Sequence, residues 1–136
     1  MTGQSENSAG ERSNLTFKKE ERLCSKKIID KLFLSGESIL SFPVKIVFLW
    51  VDIPSKYPAQ VGFSVGKKSF KKAVDRNLIK RRLREAYRLN KNELYKGLNK
   101  KQLALFFIFI GKTIPEYRLI ESAIKKGIKK ILKEIE

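Results

Sequence analysis

The cations between Lys67 and Lys91 are the residues whose type and spacing most clearly point to chemistry. Lys67, Lys68, Lys71, Lys72, Arg76, Lys80, Arg81, Arg82, Arg84, Arg88 and Lys91 are opposed there only by Asp75 and Glu85. Arginine suits phosphate because its planar fork holds two oxygens at once and stays charged. Asn77, Arg81, Arg84 and Arg88 recur at helical spacing, so at ~100° per residue they share one side of a helix. Ile79, Leu83, Ala86 and Asn90 repeat the spacing on nearly the opposite side. One face of such a helix packs on a body, and the other presents three guanidinium groups and an amide to a polyphosphate. Asn77 suits either a hydroxyl or base edge, or capping of the helix. Glu85 suits ion pairs that organise the arginines, because a carboxylate repels phosphate.

Other chemistry is poorly served. The chain has no histidine and one cysteine, Cys24. That excludes an intramolecular disulfide, histidine-based acid–base or nucleophilic catalysis, and the usual zinc sets. The carboxylates show no clustering that would hold a metal pair, so neither catalytic nor metal-binding residues are assigned. Thirty basic residues against 14 acidic ones leave a net charge of +16. Such a surplus attracts nucleic acid, an acidic membrane surface or an acidic protein. The apolar run Leu103 to Ile110 is far too short to span a bilayer. Residues 1–14 lack the apolar core of a signal peptide and read as a disordered polar tail. A lone cysteine agrees with a reducing cytoplasm.

The elements that must position the basic helix are legible in outline. Residues 15–136 suffice for one domain with a real core. Ser25 is placed to cap a first helix over Lys26 to Leu34, and Gly36 to end it. Ile39 to Phe42 predicts a short strand, and Val44 to Val51 a strand apolar on both faces. Asp52 to Pro58 is a loop. Gln60 to Lys67 alternates, with Val61, Phe63 and Val65 on one side and Gly62, Ser64 and Gly66 on the other. Those small residues mark either close packing or a flat face that admits another backbone, such as RNA. Lys91 to Lys101 reads as a polar linker with room for one further helical turn, and Leu103 to Ile110 as a central strand. Thr113 and Glu116 form a capping-box pattern ahead of a last helix striped by Tyr117, Ile120, Ile124, Ile128, Ile131 and Ile135. The order predicts an α+β fold: a small two-layer α/β sandwich, with a mixed sheet and helices on one face.

The segment Ala73 to Arg88, AVDRNLIKRRLREAYR, resembles the signature of the bacterial ribonuclease P protein subunit. The matching positions are Ala73-Val74, Arg76-Asn77, Lys80-Arg81, Arg84-Glu85 and Arg88. The approach GFSVGKKSFKKAV and the placing of Arg22-Leu23, Phe33 and Gly36 are similar to the family too. The resemblance implies a left-handed βαβ crossover through the basic helix, although crossovers are right-handed in about 98% of cases. It further implies a large catalytic RNA as partner, precursor tRNA as substrate, and Mg2+ bound mainly by that RNA. The protein would be a monomer in a cytoplasmic, membrane-free ribonucleoprotein that removes 5′ leaders, with hydrolysis performed by RNA. Residues expected at RNA are Lys67, Lys68, Lys72, Arg76, Asn77, Lys80, Arg81, Arg84 and Arg88. Phe33 and Ser64 are expected in a leader-binding cleft between the first helix and the sheet.

Two positions depart from the family pattern. Leu78 stands where the pattern has a second arginine, and beside Val74 it suggests a second packing contact. Ile29 stands where the first helix often has an aromatic ring. Other classes share some of these features. A structural RNA-binding protein of ribosomal type shares charge and size but not the signature. A protein-only nuclease needs clustered carboxylates or histidines. A DNA-binding regulator needs a paired helix before the basic one, where this chain has a strand.

Overall fold

The computed structural model describes residues 17–52, 57–98 and 101–135. The polar tail expected over residues 1–14, and residues 53–56 of the expected loop, lie outside them. After a single 3-10 turn at Lys19–Glu21 come α1 (Lys26–Ser35), β1 (Glu37–Ser41), β2 (Val44–Trp50) and β3 (Ala59–Val65). Then follow α2 (Ala73–Leu98), β4 (Leu103–Phe109) and α3 (Tyr117–Ile135). The four strands form one sheet in the order β1-β2-β4-β3. β2 is antiparallel to β1 and β4, whereas β3 runs parallel to β4. The expected mixed sheet is present, and α2 connects its parallel pair.

Alternation along the strands decides the two faces. Val44, Ile46, Phe48, Val61, Leu103, Leu105 and Phe107 are buried against α2 and α3. α2 supplies Ile79, Leu83, Ala86, Tyr87, Leu94 and Leu98, and α3 supplies Ile120, Ile124, Ile128 and Ile131. Each fully buried aliphatic side chain contributes roughly 1.5–3 kcal/mol. Gly127 lets α3 approach the sheet, because a Cβ there would collide with Ile46 Cδ1.

The one-face arrangement holds for α2 and α3 and fails for α1. The opposite face of β2 and β4 is apolar too, with Val47, Leu49, Ala104, Phe106 and Ile108, and α1 covers it with Ile28, Ile29 and Leu32. Strands apolar on both faces need cover on both. α1 itself starts and stops as expected: Ser25 Oγ accepts from Ile28 N at 3.3 Å, and Gly36 N donates to Leu32 O at 2.8 Å.

Three further expectations change. The polar linker over Lys91 to Lys101 is mostly helix, because α2 continues through 26 residues to Leu98. Its inward stripe includes Lys91, and a lysine on a buried seam reads as polar. α3 begins at Tyr117, so the box formed by Thr113 and Glu116 lies ahead of the helix. Val74 is 75% exposed and makes no second packing site with Leu78, which is half-buried.

Candidate nucleic-acid interface

The turn before α2 is locked by one of its own arginines. Arg76 Nη1 donates to Phe70 O at 2.7 Å and to Lys71 O at 2.9 Å. Phe70 is buried beside Phe109, and its N–H returns to Gly66 O. Arg76 thus fixes the loop that carries Lys67, Lys68 and Lys72, all exposed.

Along α2 the expected row is real. Asn77, Arg81 and Arg84 are exposed, while Ile79, Leu83 and Ala86 on the other side are fully buried. Asn77 lies in the second turn of the helix, which begins at Ala73, so it is not the cap. Arg88 is half-buried and closes a fork on Glu85, with Nη2 to Oε2 at 2.6 Å and Nε to Oε1 at 3.1 Å. The hydrogen bonds from Arg88 hold the Glu85 carboxyl below its ordinary pKa. Glu85 organises an arginine, as its place between Arg84 and Arg88 suggests. Arg82 turns away to donate to the carbonyl of Pro115, so it anchors the lead-in to α3 rather than replacing the cation absent at Leu78.

A cleft of about 340 Å³ runs beside edge strand β3, with Lys80 and Arg84 on one wall and Phe17, Arg22 and Cys24 on the other. Val61, Gly62 and Phe63 of β3 also line it. The second wall is held by backbone: Arg22 bridges Val61 in parallel, and Leu23 N donates to Val61 O at 2.9 Å. Arg22 lies 5.9 Å from the centre of the Phe17 ring, a cation–π separation. Phe17 in turn meets Phe63 and Tyr87 edge-on at 6.0 and 5.9 Å.

Beneath this wall sits a buried polar cluster. Lys91 Nζ and Tyr95 Oη each lie 2.6 Å from Glu21 Oε1, and Lys18 N donates to Oε2 at 2.7 Å. Tyr87 Oη donates to Tyr95 Oη at 3.4 Å. Burial pushes both phenols far above the ordinary tyrosine range, and at Tyr95 the neighbouring Tyr87 and Glu21 add to it. Tyr117 is pushed up to about 12, first by desolvation and then by Glu121 and Glu85.

The two residues expected in a leader cleft lie on the outer face of the sheet. Phe33 on α1 is 51% exposed and leans on Phe106, with ring centres 5.1 Å apart. Ser64 is half-buried on β3, opposite Ile108. Gly62 serves close packing, because a Cβ there would stand 2.6 Å from the Phe106 ring. Open space surrounds Gly66. The structure therefore brings Lys80 and Arg84 to the β3 cleft, and Phe33 does not line it. Phe17 and the Glu21–Lys91 pair were not foreseen. Their only sequence signal is a lone aromatic and an acidic pair between lysines and arginine.

Among the described residues, no three His, Cys, Asp or Glu side chains come together as a metal-binding group.

Known proteins share the family and the fold of this chain. The family model for Ribonuclease P matches residues 17–136. The ribonuclease P protein component of Porphyromonas gingivalis is 34% identical over 116 residues, covering 83% of this chain and 84% of that one. That of Chlorobium phaeobacteroides is 33% identical over 124 residues, covering 82% and 84%. The solved RNase P protein of Staphylococcus aureus matches in fold with TM-score 0.65 at 20% identity, covering 83% of this chain and 95% of its own. The Thermotoga maritima RNase P protein matches with TM-score 0.63 at 23% identity, covering 81% and 96%.

Proposed function

The chain belongs to the bacterial ribonuclease P protein family, whose place is in a tRNA-processing endoribonuclease, and on that premise we propose that it binds a catalytic RNA and the 5′ leader of precursor tRNA. The observation that carries the reading is the exposed row of Asn77, Arg81 and Arg84 on a helix whose other side is sealed in the core. A row on a rigid element meets phosphates at fixed spacing, so little ordering entropy is lost on contact.

The division of labour follows from the chemistry. The arginine row and the lysines of the turn bind the catalytic RNA. Lys80 and Arg84, facing Arg22 across the β3 cleft, offer cations on both sides of a single strand. Phe33 and Ser64 offer a half-apolar shelf on the outer face. The protein raises substrate affinity by neutralising phosphates, and the hydrolytic step with its Mg2+ belongs to the RNA. The protein acts as a monomer in the complex, in the cytoplasm. No helix among the described residues is long and apolar enough to cross a membrane. The left hand of the crossover through α2 is part of the same proposal.

The test is cleavage of a 5′-extended precursor tRNA at low millimolar magnesium. The catalytic RNA of the same source is assayed with and without the protein, beside a protein-only control. Activity raised only by the combination supports the reading. An RNA indifferent to the protein would favour a structural RNA-binding role of ribosomal type.

A further inference from the structure

A second concentration of cations surrounds an aromatic ring at the end of the sheet away from the start of α2. Trp50, the only tryptophan in the chain, ends β2 and is 36% exposed. Open hollows of about 530 and 390 Å³ flank it. Lys101 and Asp52 line the first, and Lys27, Lys31 and Asp52 line the second. Lys101 Nζ lies 5.7 Å from the centre of an indole ring system face. Lys27 and Lys31 are exposed and one turn apart on α1. Lys101 therefore stands against the ring itself, and Lys27 and Lys31 line a hollow that Trp50 shares with them.

This arrangement suits one ligand class. An aromatic platform stacks on any base, and nearby cations meet the phosphates on either side of it. Volumes of this size fall within the range of small-ligand sites. Asp52 repels a bare polyphosphate, whereas a carboxylate accepts readily from a 2′-hydroxyl or a base amine. A duplex keeps its bases stacked inside and offers none to the indole. From Arg84, the last exposed member of the row, to the end of α2 at Leu98, the helix advances roughly 21 Å at about 1.5 Å per residue, which separates this place from the arginine row.

We propose that Trp50, Lys27, Lys31 and Lys101 form a stacking site for an unpaired nucleotide of single-stranded RNA. The site rests on the RNA-binding reading above, but is separate from both the arginine row and the β3 cleft. Asp52 selects ribonucleotide over inorganic phosphate. Lys101 moves off the ring, or stays against one face while the base takes the other.

The lone tryptophan makes the test direct. Short oligouridylate is added to the wild-type protein while Trp50 fluorescence is followed, and binding of a labelled copy is read separately by anisotropy. Saturable quenching that tracks the anisotropy is expected, with little quenching by duplex RNA at equal phosphate or by pyrophosphate. Lys27→Gln with Lys31→Gln should lower the salt slope of the quenching by roughly 1.4, at about 0.7 per lost single-strand contact. Trp50→Ala should weaken oligonucleotide binding roughly 5- to 150-fold, the range of one stacked base, with Trp50→Phe recovering much of it. Quenching by the catalytic RNA, or by an oligonucleotide of leader sequence, supports the site and identifies which RNA supplies the nucleotide. Anisotropy that rises while Trp50 stays silent overturns this site alone. Flat anisotropy with oligouridylate overturns this site, and the cleavage assay above separately decides the RNA-binding reading. Both lysines are exposed, so their variant keeps the test decisive even if Trp50→Ala fails to fold.

Discussion

Lys91 Nζ and Glu21 Oε1 lie 2.6 Å apart, with the side chains 3% and 0% exposed. The pair ties the segment that walls the β3 cleft to the C-terminal half of α2, across 70 residues of sequence. Tyr95 and the backbone of Lys18 complete the carboxylate's hydrogen bonds. A buried ion pair is retained when its remaining polar atoms are satisfied, and here they are on the acidic side.

Removing one partner leaves a charge stranded. Lys91→Met is expected to cost about 3–5 kcal/mol, whereas Lys91→Met with Glu21→Leu costs less than the sum of the two single changes. Chemical denaturation of the four proteins measures this. Strict additivity would mean that the two groups are not coupled.

Alkali should act on the same cluster. Tyr87 and Tyr95 are held protonated well above the ordinary phenol value, which in an unfolded chain is about 10. A raised folded pKa contributes stability that is whole below the unfolded value and is lost as pH climbs past it. Stability is therefore expected to hold up to about pH 10 and to fall beyond it. Phenolate absorbance from these rings should emerge together with loss of helical circular dichroism. Its full appearance in a still-folded protein would contradict the burial argument.

The arginine row predicts a change in salt dependence. Arg81→Ala with Arg84→Ala is expected to weaken assembly with the catalytic RNA and flatten its salt slope by roughly 1.4–1.8, at about 0.7–0.9 per phosphate. Both residues are exposed, so stability should change by less than about 0.5 kcal/mol. An unchanged slope would move the RNA face elsewhere.

Phe33 separates leader contact from general RNA affinity. Phe33→Ala is expected to weaken binding of precursors with a leader by about 1–3 kcal/mol while sparing mature tRNA, if a base stacks on it. Equal loss for both would mean that its contact with Phe106 is its whole role.

The basic face was legible because its signal is local. Arg81 and Arg84 repeat with the helical period against Ile79 and Leu83, and a helix turns such spacing directly into a face. The strands were legible for the same reason, since Val61 and Phe63 alternate with Gly62 and Ser64. Lys91 was not: as a lysine in a lysine-rich stretch it resembles every exposed one, and its burial depends on a carboxylate 70 residues away. The side taken by α1 was hidden as well, because a strand apolar on both faces does not say which element covers which.

The sequence by itself determined the family, the sheet-and-helix content and the exposed row of Asn77, Arg81 and Arg84, because periodicity and charge are properties of neighbouring residues. Tertiary structure decided which acceptor each cation takes within the chain. Arg76 bonds the turn, Arg82 Pro115, Arg88 Glu85 and Lys91 Glu21, whereas Lys80 and Arg84 are brought opposite Arg22. The physical reason is that a charge is committed by whatever acceptor the fold brings within about 3 Å of it, and two of those acceptors, Pro115 and Glu21, lie far from their cations in the chain.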